Sequence, residues 1–327
     1  MVTSNRRPAV LAKHQSDILW GAWVELGVSG WQRTHASWAV DPEPLIIATA
    51  SLGDADPRLR DEALDWCIHH GRYVSKVRLR NLLRDQPDDV RRGWGPFAAT
   101  VSKHSGTQWP LTTEAFPYKP TGRASLGSLI APSLVWLRLR AMFGLGARTE
   151  ILRYFLSDHR RATVAAIAEQ VGYAKRNVAE ECDSLEKAGV LKVQHVANRF
   201  YYLLDRSAEL RDWVGEIAPV RPSWTSLFHV TSALVALEES AKSLSQDALS
   251  IEAHRVARHL DHELDALDIE GRPRLVDRDN HWPAVRDFAE GRMAAWAAGV
   301  WEPRSVPVEI KRRRVARRPL TAVDPSR

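Results

Sequence analysis

The sequence predicts a mostly α fold, and three observations carry that expectation. Apolar residues recur at i, i+3, i+4 and i+7 in successive stretches of the 327 residues. Asp56-Pro57, Ser75 and Thr163 each precede such a stretch, where a side-chain oxygen can accept from a free N–H of the first turn. Strand-like segments come as one pair, Val190–Val196 and Arg199–Leu204, joined by Ala197-Asn198. The expected order is a helical N-terminal domain with a loop-rich end (1–127) and a central unit of three helices and a two-stranded wing with its lead-in helix (128–206). A C-terminal helical region (207–308) and a disordered basic tail (309–327) follow.

In the N-terminal region, Ile18, Leu19, Ala22, Trp23 and Leu26 mark a helix over Gln15–Gly27, and Glu43–Leu52 reads as a short one. Asp56-Pro57 opens a helix that buries Leu59, Ala63, Leu64, Trp66 and Cys67 and stops at Gly71. Ser75 caps Lys76–Asp85, with Val77, Leu79, Leu82 and Leu83 inward and Lys76, Arg78, Arg80 and Arg84 outward. This hairpin is either a solvated basic face or a second DNA-contacting element. Gly93, Gly95, Pro96, Gly106, Pro110, Pro117, Pro120 and Gly122 make Arg91–Gly127 a loop-rich connection. Ser133–Gly144 leads into the central unit as a helix.

The central unit has the clearest pattern. Leu152, Phe155 and Leu156 give Glu150–Ser157 an apolar stripe, and His159, Arg160 and Arg161 break it. Thr163 caps a helix carrying Val164, Ile167, Ala168 and Val171, and Gly172 supplies the left-handed turn that ends it. A third helix starts near Ala174 with Val178, Cys182 and Leu185 inward, and Arg176, Glu180, Asp183 and Lys187 outward. Gly189 closes it. On the second strand Phe200, Tyr202 and Leu204 share one face. Three helices followed by a hairpin is the layout of a winged helix-turn-helix.

The phrases Thr163-Val164-x-x-Ile167-Ala168, Gly172-Tyr173-x-Lys175-Arg176-Asn177-Val178 and Leu185-x-x-Ala188-Gly189-Val190-Leu191 resemble the winged helices of the bacterial MarR and ArsR regulators. The resemblance covers about a sixth of the chain. It implies a transcriptional regulator, an autorepressor on its own operator, binding double-stranded DNA. Lys175, Arg176 and Asn177 would meet base edges, and Lys192, His195, Asn198 and Arg199 would meet phosphate or the minor groove from the wing. A second phrase, Leu64-Asp65-Trp66…His70-Gly71-Arg72-Tyr73-Val74-Ser75…Leu79-Arg80-Asn81-Leu82, resembles winged-helix proteins encoded beside nucleotidyltransferase-type toxins. It implies an antitoxin that docks a toxin partner.

Electrostatics sets these two readings against each other. Between Glu150 and Asp205 eight Lys/Arg stand against eight Asp/Glu, so the unit is neutral where phosphate binding wants cations. The chain's charge of +6 comes from Lys311, Arg312, Arg313, Arg314, Arg317 and Arg318, without which 40 basic face 40 acidic residues. Such a tail either adds phosphate affinity or is merely solvated.

Cys67 and Cys182 fall at apolar helical positions, as buried thiols of a cytoplasmic protein do. Neither a signal-peptide pattern nor an apolar run of about 18 residues is present, so no membrane span is expected. The 13 Trp are read as core and inter-helix anchors rather than stacking platforms. After Asp205, Glu209–Ile217, Trp224–Leu244, Gln246–Leu267 and Trp282–Trp296 read as helices, a bundle suited to a homodimer or a protein partner. His254, His259, His262 and Glu263 do not share one helix face, and no phosphate loop, dinucleotide fingerprint, HExxH or paired CxxC occurs. No catalytic residue, metal or cofactor is therefore expected.

Overall fold

Helix starts coincide with the acceptors read from the sequence. Asp56 Oδ1 accepts from Leu59 N at 3.0 Å, Ser75 Oγ from Arg78 N at 3.2 Å, and Thr163 Oγ1 from Ala166 N at 3.3 Å. The computed structural model describes residues 10–84, 86–157, 161–269, 271–273, 275 and 281–303. The expected loose start Met1–Pro8, the break residues His159 and Arg160, and the basic tail Lys311–Arg318 lie outside the described residues.

The described chain is mostly helical with one small antiparallel sheet. Five helices come first: α1 (Val10–Leu26), α2 (Pro42–Leu52), α3 (Pro57–His70), α4 (Lys76–Arg84) and α5 (Asp88–Ser105). Helix α5 occupies much of what reads as a loop. Its apolar residues Trp94, Phe97, Ala98 and Val101 are buried, and this stripe outweighs the breaker signal of Gly93, Gly95 and Pro96. Gly93 is a contact point, because a Cβ there would stand 2.6 Å from the Ala50 carbonyl oxygen of α2. The irregular stretch begins at Gly106 and is fastened by Asp65. That carboxylate accepts from the N–H groups of Thr121, Gly122, Arg123 and Ala124 at 2.8–3.0 Å. Burial opposes its charge, but these N–H groups prevail and hold its pKa below the ordinary value.

Helix α6 (Val135–Phe143) leads into the winged helix, formed by α7 (Ala147–Leu156), α8 (Val164–Val171), α9 (Lys175–Lys187), β1 (Leu191–Val196) and β2 (Arg199–Leu204). The strands pair from Leu191 with Leu204 to Val196 with Arg199. Ala162 adds a bridge to this hairpin, exchanging main-chain bonds with Tyr202 at 2.8 and 2.9 Å. Ile151, Phe155, Ile167, Val171, Val178, Cys182, Leu191 and Tyr202 form a core of this unit's own.

The C-terminal helices are α10 (Ser207–Val214), α11 (Trp224–Ser240), α12 (Gln246–His259), α13 (Asp261–Ala266) and α14 (His281–Ala297). The pattern read as one helix over Gln246–Leu267 is divided at Leu260. The two terminal regions, separate in the sequence reading, share one core running from Leu11 to Trp296. Helix α1 packs on α11 and α14. His35 Nε2 lies 2.8 Å from the Trp296 carbonyl oxygen, and Trp38 and Trp224 donate to the Gly299 and Ala39 carbonyls at 2.9 and 2.7 Å. Trp23, Trp38, Trp66, Trp94, Trp109, Trp224 and Trp296 are fully buried, which is the anchoring role; Trp31 is exposed. Among the described residues no helix is long and apolar enough to cross a membrane.

Candidate nucleic-acid interface

Gly172 ends α8 at φ +70°, donating its N–H to the Ala168 carbonyl at 3.2 Å. The chain extends through Ala174 and enters α9 at Lys175. Val178, Cys182 and Leu185 bury one face of α9. Lys175, Arg176 and Asn177 are consequently exposed on its first turn, where four main-chain N–H groups also lack helical partners. Arg176 is 88% exposed and pairs with Glu180 one turn on, at 2.9 Å.

The wing places Lys192, His195, Asn198 and Arg199 in solvent. Lys192 pairs with Asp205 at the base of the hairpin, and the His195 ring lies 4.9 Å from that of Phe200. Two side chains differ from expectation. Phe200 is 61% exposed although Tyr202 on that face is buried and Leu204 half-buried, since it lies at the turn end of the hairpin. Asp183, expected free on the outer face of α9, accepts the Tyr202 hydroxyl at 2.8 Å. Ala197 carries the tight turn at φ +51°, a left-handed conformation unusual for alanine. Arg161 lies over the Tyr201 ring at 5.4 Å and adds a cation beside β2.

The helix-turn-helix corner is held from outside the winged helix, by α4. Arg78 Nε donates to the Val171 carbonyl at 3.1 Å and Asn81 Nδ2 to the Gly172 carbonyl at 3.0 Å, while Ser75 Oγ lies 2.7 Å from the Tyr173 hydroxyl. Arg78 thus faces inward, 2% exposed, and Val77 outward, 48% exposed, the reverse of the expected order. The physical reason is charge pairing. Arg78 binds Asp41 and Glu43, Arg140 binds Glu43 and Glu150, and Arg153 binds Glu150, all within one buried cluster. Three cations meet three anions, so burial leaves no net charge unpaired. Burial alone would raise the Glu150 pKa, but Arg140, Arg153 and Arg78 hold it down at about 2. Asp41 is likewise held far below its ordinary value against desolvation, by Arg78 and Arg153.

The same docking sets α4, with its remaining cations, against the turn between α8 and α9. Arg84 Nη2 donates to Asn81 Oδ1 at 3.2 Å, and Asn81 in turn holds Gly172, three residues before Lys175. Arg80 and Arg84 are exposed, Lys76 half-buried. Helix α4 carries no acidic residue. These cations stand next to a unit whose own charge is balanced. The sequence signal for this was the basic face of Lys76–Arg84; its position beside the turn needed the fold.

The titratable cluster of the C-terminal helices is not brought together as a group. His259 and Glu263 line one cavity, whereas the His254 ring lies 4.8 Å from that of His281. Among the described residues no group of three or more His, Cys, Asp or Glu is placed to hold a metal ion. Cys67 is fully buried, with its thiol pKa pushed well up by burial, while the neighbouring His69 is exposed. Compared with known proteins, the chain matches no family model, no curated protein and no solved structure.

Proposed function

We propose that this protein is a cytoplasmic transcriptional regulator that binds double-stranded DNA, an autorepressor, with the first turn of α9 in the major groove. The observation that carries this reading is the solvent-facing set Lys175, Arg176 and Asn177 at the start of α9, entered from a turn on which the basic helix α4 is docked. Arg176 and Asn177 have the donor and acceptor geometry to read guanine and adenine edges. Arg199, Arg161, Arg80 and Arg84 take the phosphates. The neutrality of the winged helix is then no obstacle, because α4 supplies the missing positive charge from a neighbouring element.

A gel-shift titration against the chain's own upstream region and scrambled DNA of equal length, at two salt concentrations, tests it. The expected result is tight binding to the upstream region that Arg176→Ala weakens far more than binding to scrambled DNA. Equal, weak binding to both DNAs removes the regulator reading.

A second reading, docking of a protein such as a nucleotidyltransferase-type toxin, is favoured by one feature. Ile130 and Trp213 are 80% and 76% exposed, and Arg138 ties their segments by donating to the Ile130 and Glu216 carbonyls. A stoichiometric partner in a pull-down that Trp213→Ala abolishes, together with no DNA preference, selects this reading.

A further inference from the structure

A cavity of about 420 Å³ lies behind α4, between α2, the α4–α5 connection, α11 and α13. Its walls are largely apolar, with Ile47, Leu82, Val90, Phe228, Ala233 and Leu260 among them. This is the size and character of a small-molecule site. Among its polar groups, Glu263, His229 and Gln86 converge. Glu263 Oε2 is buried and has no hydrogen-bond partner among the described residues. Glu263 Oε1 lies 4.0 Å from His229 Nδ1, too far for a hydrogen bond. The other ring nitrogen of His229 is engaged by the Gln86 side-chain amide at 3.0–3.1 Å. Burial lowers the His229 pKa, so near neutral pH the ring does not neutralise the carboxylate. Among the described residues, the exposed Asp89 and His259 complete the charged and titratable lining, and no Lys or Arg is part of it.

A buried carboxylate oxygen without a donor is costly, and the apolar wall beside it makes it more so. We propose that this cavity binds a small organic cation, a primary amine on an apolar body, with Glu263 as its counter-ion. The ammonium supplies the donor that Oε2 lacks, and the hydrocarbon covers the α2, α11 and α4 walls. An anion is disfavoured by Glu263 and Asp89, and a neutral alcohol leaves the carboxylate charge uncompensated. Leu82 is common to this site and the helix-turn-helix corner, since its Cδ2 lies 3.6 Å from where a Cβ on Gly172 would sit. Amine binding here does not depend on whether α9 reads DNA.

Calorimetric titration of the full chain with benzylamine and hexylamine, against benzyl alcohol, hexanol and benzoate, tests the proposal. The amines are expected to bind about tenfold or more tightly than the alcohols, with benzoate weakest. Glu263→Gln, isosteric, should erase the preference of amine over alcohol. Ala233→Phe, which fills the cavity without touching the carboxylate, should remove binding of both. Amines that bind no better than alcohols, that bind equally to the Glu263→Gln protein, or that do not bind at millimolar concentration overturn it.

Discussion

The guanidinium of Arg78 donates through Nε to the Val171 carbonyl at 3.1 Å, so a charge from α4 closes the end of α8. The same side chain neutralises Asp41 and Glu43. Arg78→Met therefore leaves buried anions short of a cation and frees the corner at once. The expected loss is about 3–5 kcal/mol of stability, read from the urea midpoint. Arg80→Met, on the exposed side of the same helix, should move the midpoint little; similar losses for both would mean the cluster does not hold α4.

Acid should loosen the cluster. Glu150 is depressed from 4.5 to about 2 and Asp41 lies far below its ordinary value, both in the folded chain. Unfolded, these groups take up protons more readily, so their contribution is complete above about pH 4.5 and is lost as pH falls toward 2. Urea midpoints at pH 7 and pH 3 should differ, and Glu150→Gln, itself less stable at pH 7, should show a smaller difference. An unchanged pH dependence in that variant would assign the acid sensitivity elsewhere.

On the outer face of α9, Glu180 pairs with Arg176 and, if this face meets DNA, competes with it for the guanidinium. Glu180→Gln releases the guanidinium and removes an anion from the interface. We expect duplex affinity to rise several-fold, roughly threefold to tenfold at low salt, and the gain to shrink as salt rises. Fluorescence anisotropy with a labelled duplex measures it, and weaker binding than the parent would place this face away from DNA.

If α4 meets phosphates, the double variant Arg80→Ala/Arg84→Ala should lower affinity for specific and random duplexes alike. The slope of log affinity against log salt should become shallower by about 1.8, the value for two phosphate contacts. A slope equal to the parent's would confine the interface to the winged helix.

Two turns give a paired stability test. Gly172 sits at φ +70° with Arg78 Cγ 3.3 Å from where a Cβ would be, so Gly172→Ala should cost about 1–2 kcal/mol or more. Ala197, at φ +51°, pays the opposite penalty already, and Ala197→Gly should stabilise the wing by about 1 kcal/mol. Thermal unfolding of the two variants should move in opposite directions.

Local chemistry was legible in the chain. The caps Asp56, Ser75 and Thr163, the inward stripe Val178, Cys182 and Leu185, and the hairpin turn at Ala197 all depend on neighbours within a few residues. Arg78 was not legible, because the anions that draw it inward stand 35 and 37 residues away. Nor was α5, whose Gly93 and Gly95 look like breakers until α2 lies against the one and Thr113 against the other. The exposed first turn of α9 could be read from periodicity, but the cations beside it required the docking of Asn81 on Gly172.

The shared core of α1 and α14 bears on how the chain is made. Helix α1 is synthesised long before α14, yet its burial is completed by that helix. The winged helix closes its core from contiguous sequence and needs no such wait. During translation it is the part able to fold early, while the part of α1 that packs on α14 stays uncovered until α14 has left the ribosome. A chain halted before residue 281 would therefore carry a formed winged helix on an unfinished base, a natural substrate for chaperones.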